Sequence, residues 1–130
     1  MAMESTSPRR GEIWLVSFGA ARKGEPGKNR PAIVMSASEL MVGVDDELIV
    51  VVPLSSSLRP SRLRPKVVSD EGIDNSSAAI CRAVRAVARQ RLLRPIGEAR
   101  QETVIAVEKA LATVLGLDLH GRSKGPGSQQ

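Results

Sequence analysis

An arginine at the start of an apolar run is the residue of this chain best suited to bind an anion. Arg30 follows a polar stretch that contains Gly24 and Gly27, and it precedes Pro31, which has a fixed φ angle and no N–H. A guanidinium carries forked donors that bind two phosphate oxygens at once, so Arg30 predicts a phosphate site with its head group facing solvent. A merely solvated hairpin arginine is the alternative that this stretch alone leaves open.

A run of hydroxyl side chains is the second feature that could act on a phosphate. Ser55, Ser56 and Ser57 follow an apolar segment that has the length of a strand. A hydroxyl can donate a hydrogen bond to a phosphoryl oxygen, but hydroxyls after a strand also satisfy backbone groups of a turn. The residues by themselves leave both interpretations open.

Few residues of the chain suit a metal ion or histidine chemistry. The single histidine, His120, excludes a ribonuclease that uses two histidines. The single cysteine, Cys81, excludes an internal disulfide and a cysteine-based zinc site. The acidic residues 45–47 lie before an apolar run, away from the basic segments, and we interpret them as a solvated turn in preference to a metal site. We therefore expect no metal and no other cofactor.

The charge of the chain favours a polyanionic or acidic partner. It has 130 residues, 42% of them apolar, a formal net charge of +5 and a pI near 10.1, which is typical of one folded basic domain. Between residues 59 and 94 nine basic residues stand against three acidic ones, which predicts one basic face. The nine are Arg59, Arg62, Arg64, Lys66, Arg82, Arg85, Arg89, Arg91 and Arg94.

Aromatic residues and hydrophobic runs exclude two further classes of partner. Trp14 and Phe18 are the only aromatic residues, so a sheet that binds RNA by stacking bases on aromatic rings is excluded. No run approaches the length of a membrane span, and the N-terminus lacks the apolar core of a signal peptide. We expect a cytoplasmic protein with no membrane contact.

The order of apolar segments predicts a mainly β protein of five or six short strands that ends in one helix. Residues 47–52 form the predicted central strand, buried on both faces and ended by Pro53. Residues 78–87 fit both helical and extended spacing, and 90–93 predict a short helical turn. The other predicted strands are 10–18, 31–36 and a basic edge strand around 63–67.

Residues 98–115 carry apolar side chains at the spacing of an amphipathic helix. Glu98 and Glu102 fall near its N-terminal end and Gly116 ends it. Such strands followed by such a helix make a β-barrel or curled sheet plugged by the helix. The predicted organisation is a disordered lead-in at 1–8, a single domain at 9–118 and a flexible tail at 119–130.

Seven short blocks, taken in their order and spacing, resemble the MazF/PemK family of toxin endoribonucleases. The resemblance covers about residues 9–115. The blocks are RGEIW at 10–14, GE at 24–25 with Gly27, NRPAIVMS at 29–36, VPLS at 52–55, GID at 72–74, VR at 84–85 and RL at 91–92.

The resemblance implies a fold, an activity and partners. The implied fold is an SH3-like barrel with a C-terminal helix, of the CcdB/MazF type of plasmid maintenance toxin. The implied activity is sequence-specific, metal-independent cleavage of single-stranded RNA by attack of the 2′-OH, which leaves a 2′,3′-cyclic phosphate and a 5′-OH. The implied partners are a second copy in a homodimer and a cognate acidic antitoxin that neutralises the toxin.

The resemblance also carries site residues onto this chain. The family's catalytic arginine falls on Arg30 and its catalytic Thr or Ser on Ser55, while Glu25 and Arg85 match further family positions. We predict Arg30 and Ser55 as catalytic residues. We predict Glu25, Lys28, Ser56 and Arg85 as substrate-binding residues, with Glu25 also the candidate for the general base.

One block departs from the family. Many members carry an acidic or polar residue followed by Gln before the later valine, where this chain has Arg82 and Ala83. The family's base recognition is therefore not carried over to these positions. Two other functions stay open at this point: a toxin of the same fold that poisons gyrase, and a nucleic-acid-binding module without catalysis.

Overall fold

Seven strands and one α-helix make up the fold. The computed structural model describes residues 7–19, 28–57 and 59–118. The elements are β1 (Glu12–Ser17), β2 (Asn29–Val34), β3 (Leu48–Ser55), β4 (Lys66–Val67), β5 (Ser77–Ala79), β6 (Arg85–Ala88), β7 (Leu92–Glu98) and α1 (Gln101–Leu115). Short 3-10 turns lie at Ser38–Leu40, Ser69–Glu71, Cys81–Ala83 and Arg89–Arg91.

The strands pair antiparallel in the order β4-β5-β3-β2-β1-β7, and β6 also pairs with β3. On one side β3 pairs with β2. On the other side its first half pairs with β6 and its last two residues pair with β5. The sheet curls into a half-barrel that carries the single C-terminal helix, so the predicted SH3-like barrel with a C-terminal helix is confirmed.

Both faces of the sheet are apolar, because alternate residues of the central strands belong to two different cores. The core on one face packs against α1, through Val107 and Ala110. The core on the other face is formed by the alternate side chains of the same strands, together with Val87 and Leu92. The first core includes Ile13, Ile33, Val52, Leu54, Ala79 and Cys81, and the second Trp14, Val16, Ala32, Val34, Ile49, Val51, Val87 and Leu92.

The central strand differs from the prediction in its end and in its burial. It does not end at Pro53 but runs to Ser55, because Leu54 and Ser55 pair with β5 and the Pro53 carbonyl accepts from the Ile80 N–H at 2.9 Å. Leu48 and Val50 are exposed, so burial on both faces was wrong for the first half of the strand. It holds from Val51 to Leu54.

Strand β7 was not predicted, and it moves the start of the helix. The expected helical turn is confined to Arg89–Arg91, and residues 92–98 pair with β1 instead. The helix begins at Gln101 rather than at Glu98, and it ends at Gly116, in the left-handed conformation, as predicted. Leu115, predicted on the buried face, is 57% exposed.

Other segments follow the sequence pattern more closely. The ambiguous segment 78–87 contains both structures, with β5 and β6 joined by a 3-10 turn. The basic edge strand shortens to β4 at the end of the sheet order. Ser7 accepts a hydrogen bond from Arg89 and Pro8 is buried, so these two residues of the predicted lead-in pack on the domain.

A buried carboxylate joins the helix to the segment before β5. Glu71 is 4% exposed and accepts hydrogen bonds from the backbone N–H groups of Val68 (2.9 Å) and Arg100 (2.7 Å). Arg100 is the N-cap residue of α1, so Glu71 supplies the negative charge that the positive end of a helix favours. Glu102, predicted near this end of the helix, does lie in its first turn, whereas Glu98, also predicted there, belongs to β7.

Two glycines bring the same segment against β7. A Cβ on Gly97 would lie 2.0 Å from the Glu71 carbonyl oxygen and 2.7 Å from the Gly72 Cα. Gly72 itself has a φ of 108°, which side chains rarely adopt. Backbone therefore packs directly on backbone here, and only glycine permits it.

No helix within residues 7–19, 28–57 and 59–118 has both the length and the apolar character that crossing a membrane requires.

We expect Gly97→Ala to lower the free energy of unfolding by at least about 3 kcal/mol, because the added methyl meets rigid backbone. Gly43→Ala is the control, since a Cβ there meets nothing within 4 Å. Its φ of 92° alone costs about 1 kcal/mol. Urea denaturation followed by Trp14 fluorescence measures both variants. An equal loss of unfolding free energy in Gly97→Ala and Gly43→Ala would show that Gly97 does not pack on the backbone of Glu71 and Gly72 as described.

Burial raises the pKa of the Cys81 thiol from its ordinary value of 9.0 to about 11. A raised pKa means that the stabilising contribution is complete below pH 9 and is lost as the pH rises through 11. We expect the free energy of unfolding of the wild type to fall more steeply between pH 9 and pH 11 than that of Cys81→Ala. The additional loss in the wild type is at most about 3 kcal/mol. No tyrosine adds to the titration. Parallel pH curves for the two proteins would contradict the burial of the thiol.

Candidate active site

Arg30 and Ser55 lie on neighbouring strands where the ladder between those strands stops. The last pair of the β2–β3 ladder on this side is Ala32 with Pro53. Two residues further along the same register, Arg30 lies opposite Ser55 without a backbone pair between them. Pro31 and Pro53 lack an N–H, so neither can donate to the ladder. The two predicted catalytic residues therefore flank a gap in the sheet.

The Arg30 side chain is held across this gap. Its Nη1 donates to the Leu54 carbonyl oxygen at 3.4 Å, and its Nε is buried with no hydrogen-bond partner. Arg30 is half-buried, so the expectation that its head group faces solvent was only partly right. Leaving a buried donor unsatisfied costs about 1–3 kcal/mol, and an anion in the cavity is one acceptor that could offset this cost.

The Ser55 hydroxyl oxygen is fixed by the turn that follows it. It accepts a hydrogen bond from the Ser57 backbone N–H at 3.2 Å. A hydroxyl has one donor and two acceptor positions, so this bond leaves the O–H free to donate. The bond bears out the turn interpretation of the hydroxyl run, while donation by the Ser55 hydroxyl to a phosphoryl oxygen stays a prediction.

The gap opens into a cavity of about 650 Å³. The wall that carries Arg30 and Ser55 comes from β2 and the end of β3, while the facing wall comes from residues 72–77 and from β7. The lining residues are Leu15, Arg30, Pro31, Leu54, Ser55, Ser56, Ser57, Gly72, Ile73, Asp74, Asn75, Ser77, Arg94, Pro95 and Ile96. This volume is within the range of ligand sites in proteins.

Asp74 and Arg94 are the charged lining residues that were not predicted as site residues. Arg94 pairs with Leu15 across β1 and β7, so it reaches the cavity through a strand that was not predicted. Asp74 follows Gly72, whose close contact with Gly97 brings its segment to this wall. The two glycines are the signal in the sequence that could have indicated a backbone contact here.

Two predicted substrate-binding residues lie near Arg30, at different distances from the cavity. Ser56 lines the cavity beside Ser55. Lys28 is exposed and has a φ of 65°, and its N–H donates to the Gly19 carbonyl at 2.6 Å. Lys28 therefore closes the base of the loop that precedes Arg30, and it is not among the lining residues.

The other two predicted substrate-binding residues are not brought into the cavity by the described structure. Arg85 lies over the Phe18 ring, 5.1 Å from its centroid, and is not a lining residue. Glu25 lies outside the described residues, with the rest of 20–27. The position of a general base at Glu25 therefore stays a prediction.

Four of the nine basic residues between 59 and 94 line cavities or grooves, and not all four line the same one. Arg94 lines the Arg30 cavity. Arg62 and Lys66 line a separate groove of about 380 Å³ beside α1. Arg89 lies 3.8 Å from the Glu47 carboxylate and donates to Ser7. Arg62 and Lys66 therefore do not share the cavity of Arg94, whereas Arg89 and Arg94 together line a smaller cavity of about 250 Å³.

Among the described residues there is no group of three or more His, Cys, Asp or Glu side chains that could hold a metal ion. Asp45 and Asp46 lie in an exposed turn. The Glu47 carboxylate instead accepts backbone hydrogen bonds from Val42 and Gly43, both at 2.8 Å, so it belongs to the structure of that turn.

Comparisons with known proteins point to one family. The chain is 34% identical to endoribonuclease MazF9 of Mycobacterium tuberculosis over 118 residues, which cover 85% of this chain and 97% of that protein. Its fold resembles the crystal structure of MazF from Deinococcus radiodurans, with a TM-score of 0.74 and 21% identity over 87% of this chain and all of that one. A mycobacterial endoribonuclease in complex with its cognate antitoxin gives a TM-score of 0.69 at 19% identity, covering 86% and 98%.

The likeness in sequence extends over nearly the whole described domain. Residues 9–115 match the family model, and they include the strands, the helix and every described lining residue of the cavity. The chain therefore belongs to the PemK-like, MazF-like toxins of type II toxin–antitoxin systems.

Proposed function

We propose that this protein is an endoribonuclease toxin that cleaves single-stranded RNA, including mRNA, at short sequence motifs and without a metal ion. The observation that carries the proposal is the arrangement of Arg30 and Ser55 on either side of one gap, at one cavity. Membership of the family and the likeness to endoribonuclease MazF9 support it.

The proposed reaction is a transesterification within the RNA. The ribose 2′-oxygen attacks the adjacent phosphorus and the bond to the 5′-oxygen breaks, which leaves a 2′,3′-cyclic phosphate and a 5′-OH. The 2′-OH proton goes to a base, for which Glu25 is the candidate, and the leaving 5′-oxygen takes a proton from water. Arginine stays protonated in proteins, so Arg30 is not assigned this role.

Arg30 and Ser55 would stabilise the charge that grows on the phosphoryl oxygens. The unpartnered Nε of Arg30 and its remaining N–H groups form a forked donor, and the free Ser55 O–H adds one more. Donors fixed before the reaction stabilise such charge most, because they need no reorganisation. The Leu54 carbonyl and the Ser57 N–H hold the two side chains in this way.

We expect Arg30→Ala to abolish cleavage of a labelled single-stranded RNA in EDTA, and Arg30→Lys to fail as well, because an ammonium lacks the fork. Ser55→Ala should lose roughly 30-fold to 1,000-fold in rate, that is about 2–4 kcal/mol, while Ser55→Thr keeps its hydroxyl and its activity.

Arg62→Ala is the matched control, since Arg62 lies in the separate groove beside α1. Circular dichroism establishes that each variant is folded. A folded Arg30→Ala protein that cleaves at the wild-type rate would refute the assignment. If the wild-type protein binds the RNA without cutting it, the protein is a binding module, and if it does neither, the gyrase-poisoning alternative gains support.

We propose a cognate acidic antitoxin as the protein partner. The family is defined by toxin–antitoxin pairs, and a mycobacterial structure of the same fold contains its cognate antitoxin. An acidic segment that crosses the Arg30 cavity would satisfy the free donors of Arg30 and Arg94 and would exclude RNA. Its binding should weaken as the salt concentration rises, because the attraction is between charges.

We also propose a homodimer, as the family resemblance implies, since a second copy would extend the RNA channel beyond one small barrel. Sedimentation equilibrium at micromolar concentration should give twice the chain mass of 13.9 kDa. A monomer throughout the micromolar range would contradict the proposed dimer. RNA cleavage would then need only one copy.

A further inference from the structure

The wall of the cavity that faces Arg30 carries two opposite charges that do not pair with each other. Arg94 and Asp74 both line the cavity. Neither forms a hydrogen bond or an ion pair with another described residue, although ion pairs occur elsewhere among those residues, such as Arg100 with Asp70 at 3.1 Å. Their charged atoms therefore lie more than 4 Å apart, and both keep their full capacity for a ligand.

The two residues are held on rigid supports. Arg94 belongs to β7, next to the buried core strand β1. Asp74 follows Ile73, which is 6% exposed, and Gly72, whose backbone packs against β7. Glu71 ties the same segment to the start of α1. Asp74 itself is exposed and is one of the lining residues of the cavity.

A cavity that offers a free arginine and a separate free carboxylate suits a ligand with both an anionic group and hydrogen-bond donors. A nucleotide has this combination, in its phosphate and in the edge of an amino-bearing base. Arg30 and Ser55 account for one phosphate only, and about 650 Å³ leaves room for a neighbouring nucleotide. A carboxylate accepts hydrogen bonds and cannot donate them.

We propose that Asp74 selects the base of a nucleotide next to the cleaved bond, and that Arg94 binds the phosphate of that nucleotide. Guanine, cytosine and adenine present amino donors to a carboxylate, whereas uracil presents one N–H between two carbonyl oxygens that repel it. Asp74 therefore favours an amino-bearing base over uracil. The inference rests on the proposed RNA cleavage and adds its base preference.

The test begins by mapping one cleavage site of the wild-type protein on a long RNA. Short RNAs around that site, with each flanking nucleotide changed to all four bases, then give kcat/KM values. We expect one position where the wild type disfavours uracil by about 5-fold to 150-fold. Asp74→Asn should bring that ratio close to one, because an amide both donates and accepts. Arg94→Gln should raise KM about 10-fold at unchanged kcat and lower the salt slope by roughly 0.7.

Asp46→Asn and Arg62→Gln are the matched controls, because they make the same changes on surfaces away from the cavity. A wild-type protein that does not cleave RNA would sink the proposed function itself. A wild type that cleaves, with Asp74→Asn keeping the same base preference, would overturn this inference alone. A loss of kcat in Asp74→Asn without a change of base preference would also overturn it, since Asp74 would then act on the reacting groups.

Discussion

The end of the β2–β3 ladder at Ala32 and Pro53 is the constraint on which the candidate site depends. A proline has no N–H, so the ladder cannot be continued through Pro53 by that residue's own donor. Strand β3 nevertheless continues, because it takes β5 as a new partner on its other side. The sheet stays whole while a gap opens next to β2, and Arg30 and Ser55 lie at that gap.

The gap explains why one arginine can be both structural and chemically available. In a complete ladder a backbone N–H would donate to the Leu54 carbonyl, whereas here that carbonyl accepts a hydrogen bond from the Arg30 side chain. That single bond orients the guanidinium and leaves its buried Nε without a partner. A donor that is desolvated and unsatisfied binds an anion more strongly than one in water, so the cost of folding this residue becomes a gain on binding.

The opposite wall of the cavity is built by a second device, which joins three distant parts of the chain. Glu71 accepts from Arg100 at the start of α1, and Gly72 packs on Gly97 of β7. The helix, the last strand and the segment that carries Asp74 are therefore joined by direct contacts. The two walls meet over Leu15 of β1, so the cavity joins the middle of the sheet to its last strand.

Short apolar segments in the amino-acid sequence determined the existence of β1, β2 and β3, while three-four spacing determined the single helix and Gly116 determined its end. Each of these patterns involves residues close together in the chain, and most of the same apolar residues are buried or half-buried in the folded structure. Arg30 and Ser55 were candidates from local signals, a proline at a strand start and hydroxyls at a strand end, and the family resemblance then gave them their predicted catalytic roles. Glu25 and Arg85, in contrast, came only from the family resemblance.

Tertiary structure alone decided β7, and with it Arg94. The register of β7 on β1 shifts twice, leaving Leu93 and Ile96 without partners, so its side chains do not alternate. In the sequence, Pro95 and Gly97 resemble residues that interrupt a strand. Only the pairing of β7 with β1, some 80 residues earlier in the chain, shows that both belong to a strand. Asp74 likewise reaches the cavity through a contact between distant residues, that of Gly72 with Gly97. Contacts between residues so far apart in the chain produce no periodic pattern in the sequence. The pairing of β7 with β1 and the contact of Gly97 with Gly72 outweighed the local signals of Pro95 and Gly97.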